Sequence, residues 1–434
     1  MPPRTVIDLS LPPRERYKSL ARSQADKLRS LASLLDELLL DYGVPWRLIK
    51  PLHMLSQVFL RQVRSSEETE ELKGIAEVTG LPMYLLVAFN VLLDLLMGCT
   101  SGGVLSQEDS QPRSSAKMLH FRTLDWTMDP LREVVVQLDF IRSKSSQPYT
   151  VLASSITYIG FVGVLTGVRP GLSLSLNFRA VHDATSTKDQ VRFYLHHLMV
   201  LLGRRPSIAS ILRHHLLADY RSMGVGQSAL ELVIDNIAKR HTTAAYLIFS
   251  DGHSTITMEK DYSTALTDRS DTFIVRTNHD LNDHGVEPKP IPVVTEDVDI
   301  VRRAVHTLDE ILDESRERLG CITKQYETKM KMNRASQRRS ARALRQNPAQ
   351  VDKEANLLPT RTEIIQWLCT WTTTNESTHY SVVMDPKAGK VVWCRVYPRP
   401  LYEPSKGSRE WFKVGPGNRK CQWVSVAAKE SDRS

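Results

Sequence analysis

The sequence predicts an α+β protein, in which a helical N-terminal segment precedes a body rich in antiparallel strands. Residues 15–43 carry apolar side chains at helical spacing with charges between them. After Gly98 the pattern changes to short apolar or alternating stretches such as residues 171–180, which are typical of strands separated by turns. The chain therefore divides into residues 1–98, a helical segment, and residues 99–434, an α+β body.

Three more helical patterns follow in the first segment, over residues 46–63, 67–80 and 82–97. Pro51 lies inside the first of these patterns, and Gly80 ends the second. Residues 81–97 form the longest apolar run, but the run is interrupted by Asn90 and Asp94 and is short for a membrane span. We therefore expect a buried helix there.

The second segment alternates strand and helix patterns. The sequences read as strands are MLHFRTLDW, REVVVQLDFIRS, YTVLASSITYIGFVGVLTG, GLSLSLNFRA, AAYLIFSDGHSTITMEK and TFIVRTN. The sequences read as helices are VRFYLHHLMVLLG, SALELVIDNIAKRH and DIVRRAVHTLDEILDESRERL. HYSVVMDPKAGKVVWCRV is a candidate hairpin that turns between Pro386 and Gly389.

Composition excludes several classes of protein. The chain has 434 residues, 41% hydrophobic and 24% charged, which is unlike collagenous, fully disordered or membrane-embedded chains. Much of the net charge of +8 lies in residues 324–345, inside an insertion at about 322–358. A basic segment of this kind suits nucleic acid or an anionic membrane surface. It lacks interleaved aromatic residues, so we interpret it as a solvated, mobile insertion and expect no nucleic-acid partner.

The five cysteines, at positions 99, 321, 369, 394 and 421, are scattered and odd in number. Their spacing fits no zinc site, and we expect neither a metal nor a cofactor. A disulfide framework is not indicated, although one or two bridges remain open if the chain is secreted. The sequence has no G-x-S-x-G, HExxH, Walker A or GxGxxG motif.

Cys99 stands where the helical segment gives way to strands, in MGCTSGG. A thiol needs a nearby base or positive charge to react as a thiolate. Arg122 and Asp125 follow in FRTLDW, on a predicted strand whose geometry places residues three apart on opposite faces unless a bend intervenes. The alternative interpretation is a buried, inert cysteine beside a surface ion pair.

Seven stretches, taken in order, resemble acid ceramidase and its relative, the N-acylethanolamine-hydrolysing acid amidase. They are VIDLSLPPRERY, ELKGIAEVTGLPMYLLVAFNVLLDLL, GCTS, FRTLDW, YIGFVGVLTGVRPGLSLSLNFR, VRTNHD and DIVRRAVHTL. The fifth stretch favours the ceramidase branch. The resemblance implies an N-terminal-nucleophile hydrolase with an αββα four-layer sandwich, and a proenzyme that cuts its own chain between Gly98 and Cys99.

The same resemblance assigns roles to individual residues. Cys99 is the nucleophile, and the α-amine that cleavage releases, with a pKa of roughly 8, acts as its base. Arg122 favours the thiolate, and Asp125 orients the amine. Asn278 donates to the oxyanion, with Asn177 as a less certain second donor.

A second arginine completes the charge network. It is assigned to Arg302, with the neighbouring Arg303 as the other choice. The chain also departs from the family pattern, because Thr123, Phe178 and His279 replace an asparagine, a glutamate and a tyrosine. His279 is therefore a lower-ranked substrate or oxyanion residue, and these changes put substrate choice in doubt.

The resemblance implies hydrolysis of ceramide or a related N-acyl lipid to a fatty acid and a sphingoid base or amine. One alternative is hydrolysis of N-acylethanolamines or other small amides; another is a non-catalytic lipid-binding homologue. We expect an N-acyl lipid substrate, peripheral membrane contact through the N-terminal helices, and fragments that stay associated after cleavage. The N-terminus shows no signal peptide, which favours an intracellular enzyme, whereas the family is lysosomal or secreted.

Overall fold

The computed structural model describes residues 1–41, 44–92, 98–107, 116–179, 182–183, 186–219, 228–281, 298–346 and 358–401. Within these ranges the strands are β1 (Arg4–Asp8), β2 (Gly98–Ser106), β3 (Lys117–Asp125), β4 (Val135–Ile141), β5 (Ala153–Tyr158), β6 (Thr166–Arg169), β7 (Leu172–Phe178), β8 (Ala245–Ser250), β9 (Thr255–Lys260), β10 (Ala265–Ser270), β11 (Phe273–Arg276), β12 (Thr378–Asp385) and β13 (Lys390–Val396). The helices are α1 (Pro13–Arg16), α2 (Lys18–Ser23), α3 (Ala25–Ser30), α4 (Leu34–Asp41), α5 (Trp46–Phe59), α6 (Ser66–Thr79), α7 (Met83–Leu92), α8 (Thr187–Leu201), α9 (Ile208–Leu217), α10 (Ala229–Ala238), α11 (Val298–Gln346) and α12 (Arg361–Leu368).

The strands form two sheets that pack face to face. The first sheet has eight strands in the order β1-β4-β5-β6-β7-β8-β9-β10, and the second has five in the order β11-β2-β3-β12-β13. Helix α9 packs on β6 and β7 of the first sheet, whereas α11 packs on β2 and β11 of the second. The result is the αββα sandwich of four layers that the resemblance implied.

Strand β3 shows how the layers divide the side chains. His120 hydrogen-bonds to Ser173 and Ser175 of β7, so the even-numbered side chains of β3 face the other sheet. Leu119 and Phe121 instead join the apolar cluster of α11 and α12. Arg122 and Asp125 consequently point to opposite sides of the sheet, as their spacing predicted.

Several predicted elements are confirmed. Helix α5 continues through Pro51, and α6 ends at Gly80, which has the left-handed φ of 73° that suits glycine. The predicted hairpin is present as β12 and β13, with Gly389 at φ 66° in its turn. Helix α7 is largely buried, and its predicted continuation over residues 93–97 lies outside the described residues. Across the described part of the chain, no helix combines the length and hydrophobicity that crossing a bilayer requires.

Three predictions need correction. The single helix expected over residues 15–43 is broken into short helices and a 3-10 turn, ending in α4. Residues 4–8, for which we predicted no strand, add β1 to the edge of the eight-stranded sheet in parallel with β4. The basic segment, predicted to be a solvated, mobile insertion at about 322–358, is up to Gln346 the continuation of α11, which runs unbroken from Val298 to Gln346. Sequence patterns also predicted none of α9, β10 and α12.

The segment before Gly98 is held to the body at several places. Besides β1, the buried Glu71 of α6 accepts a hydrogen bond of 2.7 Å from Nη2 of Arg213 on α9. Asn90 of α7 donates to the carbonyl of Gly160 and accepts from the amide of Val162. These contacts connect elements on the two sides of the predicted cleavage point.

Candidate active site

Cys99 is the second residue of β2 and is paired in register with Leu124 of β3. Directly opposed residues in a sheet share a face, so its thiol points into the layer between the two sheets. The residue is 0% exposed. Its Sγ lies 3.8 Å from the carbonyl oxygen of Leu176 on β7. The pairing of Gly98 with Asp125 at the strand ends places the predicted scissile bond beside the predicted acid.

Arg122 reaches the thiol from the same face of β3. Its Nη2 is 3.2 Å from the Sγ of Cys99 and donates to the Leu176 carbonyl at 2.6 Å. Its Nη1 donates to Thr166 Oγ1 at 2.7 Å and to the carbonyl of Leu165. A buried guanidinium held at both nitrogens has a defined position, so the structure brings the predicted arginine to the predicted nucleophile.

Asp125 lies on the opposite face of β3, next to α11. Its Oδ1 accepts a hydrogen bond of 2.6 Å from Thr378 Oγ1 at the start of β12, and its Oδ2 is 3.6 Å from Nε of Arg318. A Cβ added at Gly98 would lie 3.3 Å from the Cβ of Asp125 and 3.5 Å from the Arg318 nitrogens. The glycine before Cys99 is thus enclosed by a carboxylate and a guanidinium.

Asn278 follows β11 and contacts the main chain of Cys99. Its Oδ1 accepts from the Cys99 amide at 2.7 Å and from Arg318 Nη2 at 2.9 Å. Its Nδ2 donates to the Phe178 carbonyl at 2.8 Å. The structure therefore brings Asn278 to Cys99. In this arrangement the oxygen of its side-chain amide faces the main-chain nitrogen of Cys99, and the nitrogen expected to donate to an oxyanion donates to the Phe178 carbonyl.

The two residues ranked lower lie close by and are held by other partners. Asn177 on β7 accepts from Ser101 Oγ at 2.6 Å, and its Nδ2 donates to the carbonyls of Arg276 and Thr277. His279 Nδ1 is 2.7 Å from Ser315 Oγ on α11. Both therefore shape the surroundings of Asn278, and their predicted part in catalysis remains a prediction.

The side chain of Arg302 lies outside the part of the chain that the structure describes, as does that of Arg303. Among the described residues, the guanidinium that reaches the site in addition to that of Arg122 belongs to Arg318, a residue that the sequence patterns did not single out. A signal was present, because Leu312, Ser315, Arg318 and Ile322 recur at three- and four-residue intervals, and all four are buried. A cation on the buried face of an amphipathic helix is a reason to look for a partner.

Burial and the two arginines control ionisation at the site. Burial raises the pKa of the Cys99 thiol, and the positive charge of Arg122 opposes that rise. Burial also raises the pKa of Asp125, while the charge of Arg318 and the hydrogen bond from Thr378 oppose it. Arg122 thus acts mainly on Cys99, on the face of β3 that meets the other sheet. Arg318 acts mainly on Asp125, on the face that meets α11.

Other sequence signals have structural explanations. Within the described residues, no group of three or more histidine, cysteine or acidic side chains is arranged to hold a metal ion. Cys99, Cys321, Cys369 and Cys394 are free thiols, and Cys421 lies outside the described residues. Asn375, which begins a glycosylation sequon, is 5% exposed, and its side chain accepts from the amide of Ser377.

An apolar pocket with a cavity volume of about 80 Å³ lies between the N-terminal helices and the loops after β3 and β5. Among its lining residues are Leu28, Leu31, Leu85, Phe89, Trp126 and Ile159. Trp126 directly follows Asp125, so the pocket adjoins the end of the strand that carries the predicted acid. Both the segment before Gly98 and the body contribute to its walls.

Parts of the chain are similar in sequence to known proteins. The family model for the beta subunit of N-acylethanolamine-hydrolyzing acid amidase matches residues 1–62. Acid ceramidase of Mus musculus is 30% identical over 191 residues, which are 40% of this chain and 45% of that protein. N-acylethanolamine-hydrolyzing acid amidase of Caenorhabditis elegans is 31% identical over 184 residues, 40% of this chain and 47% of that protein.

The aligned region thus spans about half the length of these curated relatives. The two identities are nearly equal, so they do not separate the ceramidase branch from the ethanolamide branch. A solved structure of the Caenorhabditis elegans N-acylethanolamine-hydrolyzing acid amidase ortholog aligns with a TM-score of 0.43 at 18% identity, covering 69% of this chain and 100% of that one. The sequence matches thus show that the chain is similar to the acid ceramidases and the N-acylethanolamine-hydrolyzing acid amidases over part of its length.

Proposed function

We propose that the chain is a proenzyme that cleaves itself between Gly98 and Cys99 and then hydrolyses the amide bond of ceramide or a related N-acyl lipid. The observation that carries this proposal is that Cys99 is contacted at two of its atoms by two different side chains. Arg122 contacts its sulfur, and Asn278 contacts its main-chain nitrogen. An inert buried cysteine needs neither contact, whereas a residue that uses both its thiol and its amine needs both.

In the proposed first reaction, the Cys99 thiolate attacks the carbonyl carbon of Gly98. The bond from that carbon to the Cys99 nitrogen breaks, the nitrogen takes a proton, and a thioester to sulfur remains. Water then opens the thioester to a Gly98 carboxylate and a free thiol. Arg122 stabilises the attacking thiolate, and the absence of a side chain at Gly98 fits the narrow space beside Asp125 and Arg318.

In the proposed second reaction, the new α-amine takes the proton of its own thiol. The thiolate attacks the acyl carbonyl of the substrate, and the amine returns a proton to the departing nitrogen. Water then releases the fatty acid from the thioester. Asn278 Oδ1 is placed to accept a hydrogen bond from the amine, and the Asp125–Arg318 pair orients that end of the strand. Asn278 and Asn177 remain our candidate oxyanion donors, and this role requires that cleavage release one of their nitrogens.

The apolar pocket supports an acyl substrate, because its lining is hydrocarbon and it adjoins Trp126 beside Asp125. Peripheral membrane contact through the N-terminal helices also belongs to the proposal, and α5 is the helix among them that we assign to it. Helix α7 is mostly buried, whereas α5 exposes Trp46, Met54 and Phe59 at 72%, 59% and 53%. Exposed apolar side chains on a helix next to α7 provide an approach surface for a lipid.

We further propose that residues 1–98 and 99–434 remain bound to each other after cleavage. Strand β1 and the Glu71–Arg213 pair cross between the two fragments and do not depend on the peptide bond before Cys99. The matching family model describes a subunit, which is in keeping with a two-fragment enzyme.

The cleavage proposal is tested by intact-mass analysis of the purified protein. We expect two fragments that divide before Cys99, and a single chain for Cys99→Ala. Cys321→Ala is the matched control. Cys321 is also a free thiol, but it lies on α11 and its thiol donates a hydrogen bond to the carbonyl of Trp371. Cleavage of the Cys99→Ala protein at the same bond would exclude Cys99 as the nucleophile.

The substrate proposal is tested by comparing fatty-acid release from ceramide and from an N-acylethanolamine of the same chain length. Faster release from ceramide supports the proposal, and the reverse order favours the ethanolamide alternative. If the protein cleaves itself but hydrolyses neither ceramide nor the N-acylethanolamine, the result would favour the alternative of a non-catalytic lipid-binding homologue. Ala88→Leu narrows the pocket, so it should shift the preference towards shorter acyl chains without blocking self-cleavage.

A further inference from the structure

Helix α11 has two halves with different surroundings. Its first half is packed against the five-stranded sheet by buried residues including Leu312, Arg318 and Ile322. Beyond Ile322, none of its described side chains is buried, and the helix continues for about six more turns to Gln346. Near the start of this half, Tyr326 stacks on Phe273 and Lys329 pairs with Glu363. Those contacts do not explain why the helix continues to Gln346.

The exposed half carries a basic stripe, which we define as Lys324, Lys331, Arg334 and Arg338. Intervals of seven, three and four residues place these side chains on one face of a helix, over a length of about 21 Å. All four are exposed. Glu327 lies on the same face and approaches Lys331 at 3.8 Å, which leaves the stripe with a net positive charge.

The form of the stripe selects among anionic partners. One straight row of cations matches a flat anionic surface better than it matches a groove that must be contacted from both walls. Base stacking would require free aromatic side chains between the cations. Tyr326, the one aromatic residue between Lys324 and Arg338, is already stacked on Phe273 at a centroid distance of 4.1 Å. Met332, 63% exposed beside the stripe, adds an apolar side chain that can enter a headgroup layer.

We propose that the basic stripe of α11 docks the protein on a bilayer that contains anionic phospholipid. The proposal rests on the proposed function in one respect: an enzyme whose lipid substrate lies in a bilayer needs a contact with that bilayer. The docking is electrostatic, in contrast to the apolar surface of α5, and it therefore weakens as salt screens the charges.

The test is binding of the full-length chain to sedimenting vesicles of phosphatidylcholine, alone or mixed with phosphatidylserine. We expect binding only to the mixed vesicles and loss of binding when salt rises from about 0.05 to 0.5 M. A triple variant, Lys331→Gln with Arg334→Gln and Arg338→Gln, should weaken binding by on the order of tenfold or more. The matched control removes three exposed cations elsewhere, with Arg22→Gln, Lys27→Gln and Arg316→Gln, and should bind within about threefold of the wild type.

Equal binding by the triple variant and the wild type would overturn the proposal, as would tighter binding to an RNA duplex than to the mixed vesicles. A second readout separates this proposal from the proposed function. Hydrolysis of a short-chain N-acyl amide in free solution needs the Cys99 site but no bilayer, so the triple variant should retain it. Loss of vesicle binding with that hydrolysis intact supports the stripe, whereas vesicle binding without any amide hydrolysis means that the proposed function alone has failed.

Discussion

The guanidinium of Arg122 lies 3.2 Å from the sulfur of Cys99, and both side chains are completely buried between the two sheets. Burial alone would leave the thiol protonated and unreactive, because it raises the pKa of Cys99. The arginine supplies the opposing charge and is itself fixed by the carbonyls of Leu165 and Leu176. The ionised form of Cys99 is therefore favoured mainly by one neighbour, whose position is set by main-chain carbonyls of Leu165 and Leu176.

Removing this charge should slow self-cleavage and shift its pH dependence. Arg122→Met takes away the cation that opposes the rise in the pKa of Cys99, so the thiolate forms only at higher pH and the rate profile moves to the alkaline side. We expect a loss of on the order of a hundredfold near neutral pH. Arg122→Lys, which keeps the charge, should lose less. The rate of fragment formation, measured on denaturing gels across a pH series, checks this, and an unshifted profile for Arg122→Met would contradict it.

The fold class was predictable from local patterns, and so was the position of Cys99, because helices give way to strands at Gly98. The element β1 was not predictable in the same way, since five residues in an edge strand carry too short a pattern and depend on β4, more than a hundred residues away. Arg122 and Asp125 were found through the resemblance, whereas Arg318 was missed. Its role depends on the angle at which α11 crosses the sheet, which periodicity does not determine.

Thr378 should act as a positioning residue for Asp125. Its hydroxyl donates to the carboxylate at 2.6 Å and opposes the rise in pKa that burial causes. Thr378→Val removes the donor, so the pKa of Asp125 rises further. The acidic limb of the pH–rate profile for amide hydrolysis should therefore move to higher pH by roughly one unit. Thr378→Ser keeps the hydroxyl and is the matched control. The pH profile of amide hydrolysis by the cleaved enzyme distinguishes the two, and identical profiles for both variants would mean that the bond has no part in tuning Asp125.

Arg318 should be required for an ordered site, although its neighbour Arg316 should not. Arg318 is 1% exposed and contacts both Asp125 and Asn278, whereas Arg316 is exposed and pairs only locally with Asp313. Arg318→Met leaves the buried carboxylate without its cation, which raises the pKa of Asp125 and loosens the hold on the Cys99 nitrogen. We expect self-cleavage to fall at least tenfold for Arg318→Met and by less than about twofold for Arg316→Met. Comparable rates for the two variants, in proteins with equal circular dichroism, would refute the assignment.

Association of the two fragments should depend on the buried pair between Glu71 and Arg213. Nη2 of Arg213 donates to Glu71 at 2.7 Å, and Arg16 adds a second contact to the same carboxylate at 3.0 Å. Glu71→Gln removes the carboxylate that is hydrogen-bonded to the buried guanidinium of Arg213, so the free energy of unfolding should fall by about 3–5 kcal/mol. The control is Asp235→Asn, which breaks the exposed Asp235–Lys239 pair and should cost less than about 1 kcal/mol. Urea unfolding followed by circular dichroism gives both values.

Gel filtration of the cleaved proteins then shows whether residues 1–98 separate from the body in Glu71→Gln but not in Asp235→Asn. Equal stability and equal retention in the two variants would show that other contacts, such as β1, hold the fragments together.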